Sequence, residues 1–441
     1  MEEQPVPARS VLYAWGYNQC GQAGQESAIH SAVPHPIRVA IHPSSLRLIA
    51  ISCGLEHTAA IASDGSLFTW GSNQFGQLGD GSETNSDRPK RVYGLRDEAV
   101  KSVACGANCT AAIADSRDGT CRGRMWIWGQ NQGSNSPRLF SGVFSSSTVV
   151  IQVACGGAHA AALSEHGVLQ TWGYNEHGQL GRGISCEGLQ GAKIVTSFVK
   201  FLNEPVETVK VKQVVCGEYH TAAIAHNGDV YTWGLGSSGQ LGHRSLQSGN
   251  KEVFPRRVVT LEGVDVVQIS AGGVHSCAIS SAGGLYMWGG SHAGQLGLGP
   301  RQDRICGTSD IDFFFQRIPV LVIPSGARSA TCGDLHTLVR MANGRLLGCG
   351  YNSYGQADSG KAYYAWYPSP IDWCVGEITC LAAGGGHSAV LTQASNLKEI
   401  CELKLVDYVT ASTASTIADI ASRMSCDSLA RFCLTFRDHW V

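Results

Sequence analysis

The chain has 441 residues, a formal net charge of −2, only 15% charged side chains and 54 glycines. Near-neutral charge leaves no electrostatic footprint for direct DNA binding, and no apolar run reaches the ~18 residues that a membrane helix needs. The start, MEEQPVPARS, lacks the basic and apolar regions of a secretory signal, so the 17 cysteines read as reduced thiols in the cytosol or nucleus.

In chain order, the first element is VLYAWGYNQCGQAG from Val11, a strand ending in Trp-Gly and followed by a glycine-punctuated loop. The first complete unit runs from Cys53 to Gly79. Cys53-Gly-x-x-His57 opens a strand of small and β-branched residues to Ala62, Asp64-Gly65 makes a tight turn, and a second strand ends at Trp70-Gly71. A hairpin this small cannot bury its own face, so it needs copies beside it. The Trp-Gly half recurs with Trp15, Trp70, Trp128, Trp172, Trp233 and Trp288, and once with Cys349 in place of tryptophan. The Cys/Ala-Gly-x-x-His half recurs with His57, His159, His220, His275, His336 and His387, and once with Cys109 in place of histidine. The third copy of the loop has lost its Gly-Gln-Leu-Gly and is expected to be irregular.

Copies are spaced about 50 to 60 residues apart, the range of propeller blades. The chain begins with a second half that has no first half, and its last repeat is a first half, Ala383 to Leu391, with no second half. The two fragments make one unit only if the ends meet. A closed ring removes the open sheet edges that a linear array would expose. The expected fold is therefore all-β, a seven-bladed β-propeller closed by the joined termini over residues 1–392.

The pattern C-G-x-x-H-T, then D/N-G-x-L-Y-x-W-G, then N-x-x-G-Q-L-G, resembles the RCC1 (regulator of chromosome condensation) repeat over residues 11–392. The resemblance implies seven four-stranded blades with closure shared between the termini. The family's founding activity is nucleotide exchange on a small GTPase, with acidic and histidine residues beside the motif histidine on the exchange face. Here Glu56 alone is acidic at the position just before that histidine, and there is no basic N-terminal tail. Another subfamily senses ultraviolet light through tryptophans two residues before the histidine. None of those positions is tryptophan here, so the six repeat tryptophans read as packing between blades.

Residues 393–441 change character, with almost no glycine and helical periodicity. Leu397, Ile400, Cys401 and Leu405 share one face. Ile417, Ile420, Ala421 and Met424 share another, with Ser412 or Thr413 as N-cap, and Asp427 caps a last helix. This α-helical C-terminal tail resembles the segment that follows BTB domains, the start of a BACK or 3-box region. The resemblance suggests contact with a ubiquitin-ligase component.

Chemistry is sparse. Cys53/His57 and its copies have half of a zinc-site spacing, yet they are one repeat position on different blades, too far apart to share a metal. The expected role is a buried histidine tying loop backbone within its own blade, beside a small buried cysteine. No catalytic constellation, metal or cofactor is expected. The expected function is a non-catalytic protein-interaction module or scaffold on a monomeric ring; the alternative is a guanine-nucleotide exchange factor. The partner-binding candidates are Glu56 and the insertion carrying Arg304, Asp310, Asp312, Phe314 and Arg317. Three consecutive phenylalanines, 313 to 315, cannot all point inward from a strand, and Phe314 is the expected anchor.

Overall fold

The hairpin of the repeat grows into a four-stranded antiparallel sheet, and seven such sheets form in the computed structural model. It describes residues 9–27, 31–43, 46–130, 134–141, 144–145, 148–185, 197–199, 209–246, 249–300, 314–357, 360, 362–371, 376–394, 413–423, 430 and 433. Numbered from the blade that holds both ends of the ring, blade 1 runs from the axis outward as Glu377–Ala383, His387–Ala394, Arg9–Tyr17 and Ala32–Val39. Blade 2 is Leu48–Cys53, His57–Ala62, Leu67–Gly71 and Ser86–Arg91. Blades 3 to 7 repeat this order, with inner strands Glu98–Cys105, Val150–Cys155, Val211–Cys216, Val266–Ala271 and Ala327–Cys332.

Closure is as expected. Arg9–Tyr17 pairs along its length with His387–Ala394, with Leu12 opposite Leu391 and Trp15 opposite Ser388. Two unusually long segments between repeat motifs, Gly183 to Val211 and Pro300 to Pro324, each contain their blade's outer strand, Ser197–Phe198 in blade 4 and Phe315–Ile323 in blade 6. Most of their remaining residues lie outside the described ones.

The apolar core lies between blades rather than inside any one of them. Ala59, Ile61 and Leu67 of blade 2, for example, form one cluster with Val100, Ala112, Ala114 and Trp128 of blade 3. The second strand of each blade carries small residues because both of its faces are covered: His57–Ala62 is buried at every position. Gly71 shows why Trp-Gly recurs. Its φ is +105°, and a Cβ there would lie 2.5 Å from the carbonyl oxygen of Glu56.

Of the tail, the helix Ala414–Arg423 is described, and it starts just after Thr413. Its buried residues are Ala414, Ala418 and Ala421, and the latter two join the cluster of Leu12, Val39 and Leu48 on the ring. This corrects the expected face in one respect: Ile420 is 47% exposed. The alanines at i, i+4 and i+7 let the helix axis approach the sheet closely, which turns Ile420 to solvent. The expected helix around Leu397–Leu405 lies outside the described residues; of the one after Asp427, Ala430 and Cys433 are described, helical and buried in the same cluster on the ring.

Candidate partner-binding face

The repeat histidines bind across blades, which corrects the expectation that each ties loop backbone within its own blade. Nε2 of His57 is 2.8 Å from the Thr110 hydroxyl of the next blade, and the same contact joins His159 to Thr221, His220 to Ser276, His275 to Thr337, His336 to Ser388 and His387 to Thr58. Each hydroxyl in turn donates to the main-chain carbonyl of the glutamine in a repeat Gly-Gln loop: Thr58 to Gln22, Thr110 to Gln77 and Thr221 to Gln179. With its one proton committed there, the hydroxyl can only accept from the imidazole, so Nε2 carries the ring hydrogen. The same carbonyl accepts the indole N–H of the repeat tryptophan, Trp70 at Gln22, Trp128 at Gln77 and Trp233 at Gln179. Where Cys349 replaces tryptophan, its Sγ stands 3.6 Å from the Gln295 carbonyl.

The glycine of Cys-Gly-x-x-His belongs to this device: a Cβ on Gly54 would lie 2.7 Å from Nδ1 of His57. Burial pushes the imidazole pKa of His57, His159, His220, His336 and His387 down to about 3, so these rings are neutral donors.

A second belt encircles the axis. The N–H groups of Leu55, Ala107, Gly157, Glu218, Gly273, Asp334 and Gly385 each donate to the motif-glycine carbonyl of the next blade, and Gly385 to Gly54 closes the circle. The belt surrounds an axial cavity of about 330 Å³, into which Cys53, Cys105, Cys155, Cys216 and Cys332 also face. Burial pushes the thiol of Cys105 up to about 12 and raises those of Cys53 and Cys216 well above the ordinary range, so these three are not set up as nucleophiles.

The junction between blades 3 and 4 is the exception. Cys109 stands at the histidine position, Ala160 at the hydroxyl position, and the glutamine loop is missing, with Asn135 and Ser136 already in the outer strand Ser134–Leu139. Trp172 packs there against Phe140 with ring centroids 5.3 Å apart. The loss of three partners together follows from their being one chain of hydrogen bonds.

The Cys-Gly-x-x-His and Asn-x-x-Gly-Gln loops all emerge on one face of the ring. Exposed there are Leu55, Phe75, Tyr174 and Tyr354. Two carboxyl groups flank the axial cavity, Glu218 and Asp334, and burial followed by the charge of Glu218 pushes Asp334 up to about 6. Of the predicted candidates, Glu56 is half-buried on this face, with Oε2 3.7 Å from Cys20 Sγ. Phe314 is on the same face, 62% exposed, its carbonyl accepting the N–H of Ser291. Phe315 is half-buried beneath the Arg317 guanidinium, 4.6 Å from the ring centroid. Glu56 in blade 2 and Phe314 in blade 6 are therefore on one face but not in one pocket. Arg304, Asp310, Asp312 and Phe313 lie outside the described residues. The sequence reading missed Glu218 and Asp334; acidic side chains two residues ahead of the motif histidines His220 and His336 were the available signal.

The family profile for the RCC1-like domain matches residues 132–398, and that for the RCC1 repeat matches residues 11–61 and 64–113. The chain belongs to the RCC1-like family. It is 30% identical over 361 residues to the ultraviolet-B receptor UVR8 of Arabidopsis thaliana, covering 80% of this chain and 76% of that one. It is 32% identical over 303 residues to RUG3, a mitochondrial RCC1 domain-containing protein of the same plant, covering 65% and 63%. It is 30% identical over 307 residues to the human E3 ubiquitin-protein ligase HERC2, covering 67% of this chain but 6% of that one. Among solved structures, Prp20p of Saccharomyces cerevisiae superposes with a TM-score of 0.75 at 20% identity, covering 91% of this chain and 96% of that one. Human WBSCR16 follows with a TM-score of 0.72 at 21% identity, covering 87% and 98%. At such identities the two structures establish the fold alone. No helix among the described residues is long and apolar enough to cross a membrane.

Proposed function

We propose that this RCC1-like ring is a non-catalytic protein-interaction module, a scaffold or adaptor working in the cytoplasm or nucleus. The observation that carries the reading is the gathering of exposed large side chains, Leu55, Phe75, Tyr174, Tyr354 and Phe314, on one face of a rigid ring. Apolar side chains ringed by polar ones have the make-up of an interface centre with its rim. Phe314, with Arg317 beside it, is one anchor of that surface. The C-terminal segment 393–441, through its likeness to the BACK or 3-box helices, is a second contact, directed at a ubiquitin-ligase component. Affinity capture from cell extract tests this. Wild type should retain a defined partner, and Phe314→Ser should weaken capture with little change in melting temperature. A large fall in stability with capture per folded molecule unchanged would make Phe314 a core residue instead.

The second reading is guanine-nucleotide exchange on a small GTPase. It is favoured by the likeness to Prp20p, whose structure was reported with its binding to Gsp1p and histones, and by Glu56 on the loop face. Release of a fluorescent guanine nucleotide from a panel of small GTPases, with and without the ring, separates the two readings.

A further inference from the structure

Where blades 7, 1 and 2 meet, the loop face holds a pocket of about 210 Å³ whose lining includes Tyr17, Tyr351, Tyr354, Glu56 and Asp334. Tyr17 and Tyr354 lie with ring centroids 4.8 Å apart, and Tyr351 meets Tyr354 nearly edge-on at 77°, so two ring planes form a corner. The carboxylates stand beside these rings. Glu56 is near enough to help raise the Tyr17 phenol pKa, after burial itself. Oδ2 of Asp334 would lie 3.3 Å from a Cβ on Gly385, which places that carboxylate over the glycine floor. Side chains at Gly385 or Gly386 would crowd Leu55 and Tyr17, so the two glycines keep the floor open. Among the described residues, no lysine, arginine or histidine lines the space.

We propose that this pocket receives one cationic side chain, arginine or lysine, from an exposed segment of a protein partner. The chemistry is complementary on two counts. Aromatic faces attract a cation through the ring quadrupole, and two carboxylates of the empty pocket have no cation among the lining residues to pair with. Asp334 carries a further burden in the free protein, because burial and then the neighbouring Glu218 disfavour its charge more than His275 offsets. A bound cation relieves that penalty, so the site is built to prefer an occupied state. The proposal rests on the reading of the loop face as a docking surface and says which part of the partner enters it.

The test uses a phage-displayed peptide library panned on the full chain. Enriched peptides should share an arginine or lysine at a fixed position, and replacing it by glutamine should weaken binding at least tenfold. Asp334→Asn and Tyr354→Ala should each cause a comparable loss, with the Asp334→Asn protein melting no lower than wild type at pH 7.5. Enriched peptides without an invariant cation, no enrichment, or binding indifferent to both variants would overturn the proposal. Capture from extract separates this from failure of the wider reading. A partner held equally by wild type, Asp334→Asn and Tyr354→Ala removes the cation pocket and leaves the interaction module standing, whereas no partner held by wild type removes the module.

Discussion

Nε2 of His387 lies 2.8 Å from the hydroxyl of Thr58, joining residues 329 apart in sequence at the point where the last repeat meets the first complete one. It is the same contact that His57 makes to Thr110 one blade on. The ring is thus locked by the same device at its seam and at every other junction except that between blades 3 and 4.

Thr58→Val keeps the shape but removes the hydroxyl. It leaves the buried imidazole N–H of His387 with no acceptor and the Gln22 carbonyl with one donor fewer. A stranded buried donor costs about 1–3 kcal/mol, so Thr58→Val and Thr110→Val should each lower unfolding free energy by that amount in urea titrations. Thr58→Ser, which retains the hydroxyl, should lie within ~0.5 kcal/mol of wild type. Equal melting of the valine and serine variants would contradict the hydrogen-bond account.

Deleting residues 1–24 removes the strand Arg9–Tyr17 that sits between His387–Ala394 and Ala32–Val39. The ring then has a gap and two unpaired strand edges, which template association. The truncated chain should elute as oligomers in size-exclusion chromatography with light scattering. A monomer that melts as wild type does would disprove closure by the paired termini.

The neutral histidines set the acid limit of the fold. His57, His159, His220, His336 and His387 are each held at about 3 in the folded chain, against about 6.5 when unfolded. Between those values the unfolded chain binds more protons, so stability rises with pH there and is lost as pH falls below 6.5. Each ring contributes about 1.4 kcal/mol per pH unit in that window. Chemical denaturation at pH 7.5, 6.0 and 5.0 should therefore show a steep loss below pH 6, and His57→Gln should reduce the slope by about one proton. A pH-independent midpoint from 7.5 to 5.0 would mean that these rings are accessible to protons in the native state.

The ring itself was legible in the sequence because two unpaired half-units, Val11–Trp15 and Ala383–Leu391, fit together only on closure. The partner of His57 was not legible. Every blade carries the same residues, so a periodic pattern looks the same whether a side chain binds its own blade or the next one. The break in the pattern held the answer: Cys109 has lost the histidine, and the hydroxyl is missing one blade later, at Ala160, not in blade 3, where Thr110 is intact. The pocket of Tyr17, Tyr351, Tyr354, Glu56 and Asp334 escaped the sequence reading for another reason. Its residues come from three blades and several repeat positions, and each is unremarkable beside its own neighbours.

The junction between blades 3 and 4 supplies the sharpest test of the hydrogen-bond chain. Gly106 is retained there, and a Cβ on it would lie 3.1 Å from Cys109 Sγ, so the thiol stands beside the glycine where imidazole stands in other blades. Cys109→His alone would place a buried N–H opposite Ala160, which offers no acceptor, and should cost about 1–3 kcal/mol. Ala160→Thr alone buries a hydroxyl with neither the histidine nor the glutamine carbonyl to meet it, and should cost a similar amount. Together the imidazole can donate to the new hydroxyl, so the double variant should be more stable than the sum of the singles by about 1–2 kcal/mol. It should still fall short of wild type, because the hydroxyl proton has no glutamine carbonyl to receive it. The measurement is a double-mutant cycle in urea. Strict additivity would show that histidine and hydroxyl do not act as a pair, and that the joint loss of Cys109's and Ala160's counterparts has another cause.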